Sequence, residues 1–263
     1  MSGGRFPVTD RTRFLERKEH PLARLLALLG LLAVWELFTR IGWVPPLFLP
    51  SPFGVLVSGA QMLVLGELLA HLAMSLQRTV LGFCLGALGG ISVGMAVGFW
   101  SLAEAVGNPI IAATFPIPKI ALLPLLILWL GIGEASKVAV IALGVFFPLA
   151  INTFTGVRTA DPLLIRAAVS FGAGRLSLIR KVLLPSALPM IFAGLKLGAG
   201  TSLLLLVAAE MIAAQSGIGF LILHAQNLME TTKLMVGIVV LSCLGLSAHW
   251  LLARLERAVI PWK

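Results

Sequence analysis

The sequence predicts an all-α integral membrane protein with about six transmembrane helices, and three observations predict it. Of 263 residues, 59% are hydrophobic and 12% are charged, where a soluble domain carries about 25% charged residues. The mean hydropathy is +1.01, and the apolar residues fall in runs of about 20, enough to cross about 30 Å of hydrocarbon. The basic residues behind the net charge of +9 gather in the N-terminal tail, a central loop and the C-terminus. That clustering fits cytoplasmic loops and anionic headgroups rather than nucleic-acid binding.

Residues 1–21 read as a cytoplasmic tail rich in arginine, and 22–263 as one transmembrane domain. The first span is expected at 22–41 as an uncleaved helix, because no small-residue cleavage site follows the apolar run. Arg24 can snorkel at its start, and Glu36 must face protein or the far interface. Residues 42–66 contain Pro45, Pro46, Pro50 and Pro52 and no Lys or Arg. They belong outside the cytoplasm or along the interface and make a poor helix until about Val55. The stretch 67–79 is amphipathic, and Arg78 within it needs a water-exposed or partner-paired position.

The second span, 80–100, has no charge and repeats Gly82, Gly86, Gly90, Gly94 and Gly98 every four residues. They share one helix face, and in lipid small residues let backbones approach closely. The third span, 105–130, is broken by Pro109, Pro116, Pro118 and Pro124 and holds Lys119. Such breaks are tolerated where the backbone is buried in protein or lines a wet cavity. Lys119 is then either a pathway residue or half of a structural pair with a carboxylate.

The fourth span, 136–155, ends with Asn152 and Thr153. The fifth, 187–212, carries Lys196 near its start and Glu210 near its end. Asn152 and Glu210 join Lys119 as candidates for pathway or docking contacts, since intramembrane polar groups are functional candidates by default. Residues 215–232 read as a polar outer loop, and 234–252 as the sixth span before Arg254, Arg257 and Lys263. Both termini are therefore expected inside. Cys84 and Cys243 lie in apolar runs and read as small core residues rather than a disulfide. The four scattered histidines offer no metal-ligand spacing.

The loop at 158–186 interrupts this pattern with Asp161, Arg166, Arg175, Arg180 and Lys181. Asp161 is placed as an N-cap, Pro162 at the first helical position and Gly172 at the C-terminal stop. A short helix over 162–171 follows, with Leu163, Leu164, Ala167, Ala168 and Phe171 on one side. A second helix is expected over 175–183, stopped by Pro185. A ten-residue helix is marginal alone in water. Its apolar stripe wants a docking groove, or else the loop is an interfacial amphipathic segment touching lipid headgroups.

Ala167, Ala168, Gly172, Leu184 and Pro185 fall at the spacing of the "EAA" loop of binding-protein-dependent ABC importer permeases, which this stretch resembles. Arg166 stands where that loop has glutamate, reversing a charge, and Val182 where it has isoleucine. Leu49-Pro50-Ser51-Pro52, Gly54, Arg78, the runs 120–131 and 147–153, and Ala209 to Gly219 are similar to the branch that imports nitrate, bicarbonate, sulfonates or taurine. The resemblance covers about residues 45–260. It implies a type I importer-like permease in a bacterial cytoplasmic membrane, most simply a homodimer. It also implies a separate ATPase subunit that binds ATP and Mg and docks on the loop, and a solute-binding protein that delivers substrate from outside.

The chain carries no Gly-x-x-x-x-Gly-Lys-Ser/Thr phosphate loop and no enzyme-like cluster of His, Cys and carboxylates. Hydrolysis is expected in the partner, with no cofactor on this chain. A structural or docking role is favoured for Glu210, because a bare carboxylate does not suit the narrowest point of an anion path. The rival reading is a secondary transporter or channel working alone, which inverted repeats would support.

Overall fold

The computed structural model describes residues 21–262; residues 1–20 of the expected tail, the side chain of Arg24 and Lys263 lie outside the described residues. Among the described residues there are helices and no strands. In chain order they are α1 (Pro21–Arg40), α2 (Pro52–Val64), α3 (Glu67–Phe99), α4 (Ser101–Thr114), a 3₁₀ turn (Lys119–Leu122) leading into α5 (Leu123–Leu130), α6 (Glu134–Arg158), α7 (Pro162–Ser170), α8 (Arg175–Leu178), a π turn (Ile179–Leu183), α9 (Leu184–Ala213), α10 (Ile218–Asn227) and α11 (Thr231–Val259).

Four runs are long and apolar enough to cross a membrane: α3, α6, Arg175–Ala213 and α11. The α4 and α5 pair makes a fifth if a helix bent by 90° counts as one span. α1, with 20 residues, reaches about 30 Å at 1.5 Å per residue. Six is reached only by counting both.

Several boundaries differ from the sequence expectation, each for a physical reason. The second span begins at Glu67, not residue 80, directly after Gly66 with φ +77°. Its polar residues His71, Ser75 and Arg78 face protein, with Ser75 and Arg78 buried, so the helix runs through the amphipathic stretch. The third span is no single helix. Pro116 and Pro118 leave residues 115–118 non-helical, because proline neither donates an amide nor clears the preceding turn.

The fourth span extends to Glu134–Arg158. The expected stop at Pro185 does not occur, since α8, the π turn and α9 form one continuous run. The wider π turn moves aside the carbonyl that the Pro185 ring would strike. The expected polar loop at 215–232 contains α10, whose Ile218, Leu221, Ile222 and Ala225 are buried. Their spacing is an amphipathic stripe, placed on α9 and α11.

Three helices form the centre. The glycines of α3 at 82, 86, 90, 94 and 98 meet α6 at progressively later residues, from Val138 to Val157, so α3 and α6 run parallel. A Cβ at Gly86 would lie 2.4 Å from the Ala142 carbonyl, and one at Gly90 2.6 Å from that of Phe146. α9 runs antiparallel to α6: Gly156 meets Ala187 and Met190, while Gly144 meets Leu205. Val140, Ile141, Val145, Leu149 and Leu206 fill the core between them. Cys84 and Cys243 are free and exposed rather than core residues. In a bilayer the outer surface is as apolar as the interior, so apolar flanks do not imply burial.

α1 leans on α2. Glu36 accepts from Arg40 Nε at 2.7 Å and from the Phe53 amide at 3.1 Å.

Candidate functional site: the central loop and a buried ion network

The central loop is built by its ends. The Asp161 carboxylate accepts from the Leu163 amide at 2.8 Å, and Pro162 opens α7. At the far end Gly172 takes φ +78°. The amide of Ala173 then donates to the Ala168 carbonyl at 3.0 Å, and that of Gly172 to Val169 at 2.9 Å. This is the Schellman closure that a left-handed glycine permits.

α7 is tied to the bundle through Ile165, which packs on the buried cluster of Val157, Ala160, Leu183, Ala187 and Ile191. On the other side Leu163 is 71% exposed, Leu164 53% and Phe171 92%. Arg166 and Ala167 are exposed, Ala168 is half-buried, Val182 and Leu184 are half-buried, and so is Pro185. The structure thus gathers the 161–172 residues on one small helix and sets 182–185 in the π turn and the start of α9.

A second constellation lies at the opposite ends of α3, α6 and α9. Arg78, 2% exposed, reaches two carboxylates. Its Nε and Nη2 donate to Glu134 at 2.5 and 2.8 Å, and Nη1 donates to Glu210 at 2.8 Å. Nη1 also donates to the Ser216 carbonyl at 2.6 Å.

Glu210, fully buried, accepts further from Ser75 Oγ at 2.8 Å and from the Gly219 amide at 2.8 Å. The Gly217 amide donates to His71 Nδ1 at 3.0 Å, and the Ile218 amide to Ser75 Oγ at 2.8 Å. Lys137, also buried, donates to Glu134 at 3.3 Å and to the Gly133 carbonyl at 3.0 Å. Two cations therefore face two anions, and the cluster is neutral. Through these bonds Glu210 and Ser75 join the start of α10 to α3.

Arg78 and Glu210 each stood out in the sequence, but not as partners, and Glu134 did not stand out. Glu134 and Glu210 were the available signal: two carboxylates at span ends, matching a stray arginine and Lys137. Ser75, His71 and Gly217 gave no signal beyond sharing a face or a loop with them.

Lys119 and Asn152 serve backbone carbonyls. Lys119 Nζ donates to Thr114, Phe115 and Ile117 at 2.8, 3.0 and 2.8 Å. Pro118 has no amide to give to Thr114, and the lysine takes its place. Pro148, inside α6, likewise frees the Gly144 carbonyl, which accepts from Thr201 of α9 at 3.3 Å. Asn152 donates to the Pro148 carbonyl at 2.8 Å. Lys119, Asn152 and Glu210 do not form one cluster. Among the described residues no group of His, Cys, Asp and Glu could hold a metal ion.

Comparison with known proteins places this architecture. The family model described as "Binding-protein-dependent transport system inner membrane component" matches residues 86–261. The taurine transport system permease protein TauC of Escherichia coli (strain K12) is 39% identical over 237 residues, 88% of this chain and 86% of TauC. The riboflavin transport system permease protein RibX of Chloroflexus aurantiacus is 35% identical over 259 residues, 97% of this chain and 96% of RibX. Among solved structures, a chain of the inward-facing MetNI methionine ABC transporter shares the fold. Its TM-score is 0.57 at 22% identity, over 71% of this chain and 93% of that chain.

Proposed function

The chain belongs to the family of binding-protein-dependent transport system inner membrane components, and on that premise we propose how it works as the permease of an ABC importer. Two copies form the translocation path. Each presents α7 on the cytoplasmic side to a separate ATPase subunit, which binds the ATP and Mg. A solute-binding protein delivers substrate from the other side of a bacterial inner membrane. ATP binding draws the ATPases together and rocks the spans outward, and hydrolysis resets them. The solute we assign is a small sulfonate, on the strength of the relationship to a taurine permease.

One observation carries the docking step. α7 is capped at both ends, held to the bundle through Ile165, and leaves Leu163, Leu164 and Phe171 exposed. A helix of nine residues does not persist alone with an unpaired apolar side, and a groove on a partner would cover it. Arg166, where the related loop carries glutamate, gives this contact a positive charge, so its electrostatics differ from the family pattern.

The test is co-purification and transport. The chain co-expressed with its ATPase is expected to retain it and to drive ATP-dependent uptake of radiolabelled taurine into proteoliposomes containing the solute-binding protein. Ala167→Glu or Ala168→Glu is expected to abolish ATPase capture while leaving the spans folded, with the smaller shift in thermal unfolding midpoint at exposed Ala167. Normal assembly and uptake in both variants would overturn the docking role. Uptake by the chain alone, driven by an ion gradient, would overturn the importer reading.

A further inference from the structure

Arg78, Lys137 and Lys196 each face a carboxylate within the bundle: Glu134 and Glu210, Glu134, and Glu256. Lys119 does not pair with one among the described residues. Its contacts are the three carbonyls at the end of α4 and the face of Phe147, whose centroid lies 4.1 Å from Nζ. Carbonyl dipoles and a ring quadrupole hold an ammonium in place, but they leave its net charge. A cation kept in the apolar layer is costly, and such groups mark ion and substrate pathways.

The charge stands beside a cavity of about 260 Å³. Lys119, Phe147, Gly144, Pro148 and Thr201 line it, from the α4–α5 break, the middle of α6 and the middle of α9. It therefore lies about half-way along the bundle, between the α7 loop and the Arg78 network. Its lip carries Phe115, Ile117 and Leu204, which are 50, 43 and 73% exposed, so it faces away from the chain's own core. Irregular backbone at such depth is expected where it lines a cavity. A single cation with low-dielectric walls concentrates its field on whatever enters.

Resting on the importer reading above, we propose that Lys119 is a specificity-determining residue of the path. It recognises the oxyanion headgroup of the solute at mid-membrane, while the apolar walls pass the organic part. Lysine suits a transient contact, because it acts as a point charge rather than a bidentate clamp.

The experiment uses the complete complex with its ATPase and solute-binding protein in proteoliposomes. ATP-driven uptake is followed for taurine, ethanesulfonate, nitrate and bicarbonate. Lys119→Arg keeps the charge, and Lys119→Gln removes it. Thr201→Asp leaves the lysine and its carbonyl contacts in place but adds a carboxylate to the same cavity.

For the solute that the wild type imports, Lys119→Arg, which keeps the charge but makes it a bidentate fork, is expected to retain more uptake than Lys119→Gln. Lys119→Gln and Thr201→Asp are each expected to lose about tenfold, the scale of one charge-assisted contact, with ATPase capture unchanged. Wild-type uptake in Thr201→Asp overturns the inference, whether Lys119→Gln transports or fails to assemble, because Lys119 would then only cap α4. Wild-type import of nitrate or bicarbonate alone would overturn the sulfonate assignment and leave Lys119 to be judged by the variants. Import of none of the four would overturn both.

Discussion

Arg78 shows how a single residue decides the design of the end of the bundle opposite α7. Burying a guanidinium is costly, and it persists because two carboxylates and a carbonyl satisfy its donors. Removing one partner of a buried pair leaves an uncompensated charge, at a cost of about 3–5 kcal/mol. Arg78→Leu is therefore expected to lower the thermal unfolding midpoint of the purified chain sharply. Arg78→Leu combined with Glu210→Leu should recover part of that loss, since apolar replacement of a whole pair is often neutral or better. A double variant as unstable as the sum of the two singles would show that the pair is not coupled. Gly217 is tied to the same network. Its φ is +118°, and an added Cβ would sit 2.3 Å from the Glu210 carboxylate. Gly217→Ala combines backbone strain of about 1–3 kcal/mol with a displaced carboxylate, and should weaken the fold in the same assay. At this scale the sequence exposed the misfit, an arginine in an apolar stretch. It did not expose the pairing, whose carboxylates lie 56 and 132 residues away along the chain.

At the scale of elements, the four-residue glycine register told which face of α3 is bare, and the structure adds which helix fills it. The close approach is selective along the chain. A Cβ at Gly90 would meet the Phe146 carbonyl at 2.6 Å, whereas one at the neighbouring Gly89 would meet only the Phe146 ring at 3.4 Å. Gly90→Ala should cost about 1–3 kcal/mol by overpacking. Gly89→Ala should be neutral or stabilise by up to about 1 kcal/mol, from helix propensity. Denaturant unfolding of both variants checks this, and equal effects would remove the case for a glycine-mediated α3–α6 seam. The broken third span was legible in its prolines, but not the 90° bend between its two halves. α10 was missed because its stripe is only ten residues long and lies among Gln215, Ser216 and Gln226. The run through Pro185 was missed because a π turn has no local signature that competes with proline's usual meaning.

For the whole molecule, the helix directions make a closed statement about sides. α3 and α6 run parallel and α9 runs back. Lys196 of α9 pairs with Glu256 of α11, while Leu203, further along α9, meets the earlier Gly245, so α11 runs antiparallel to α9. The end of α11 therefore lies on the same side as α7. That side gathers Arg158, Arg166, Arg175, Arg180, Lys181, Arg254 and Arg257, while residues 42–66 on the other side hold no Lys or Arg. The asymmetry predicts that α7 and the C-terminus are cytoplasmic. With Cys84 and Cys243 replaced by serine, single cysteines can be placed at exposed Arg175 and at Leu65, which is 78% exposed. Cysteine at 65 should react with a membrane-impermeant maleimide in intact spheroplasts. Cysteine at 175 should react only after the membrane is permeabilised, and pre-bound ATPase should slow it. The reverse pattern would invert the chain in the membrane. It would also place the exposed side of α7 where no ATPase could reach it.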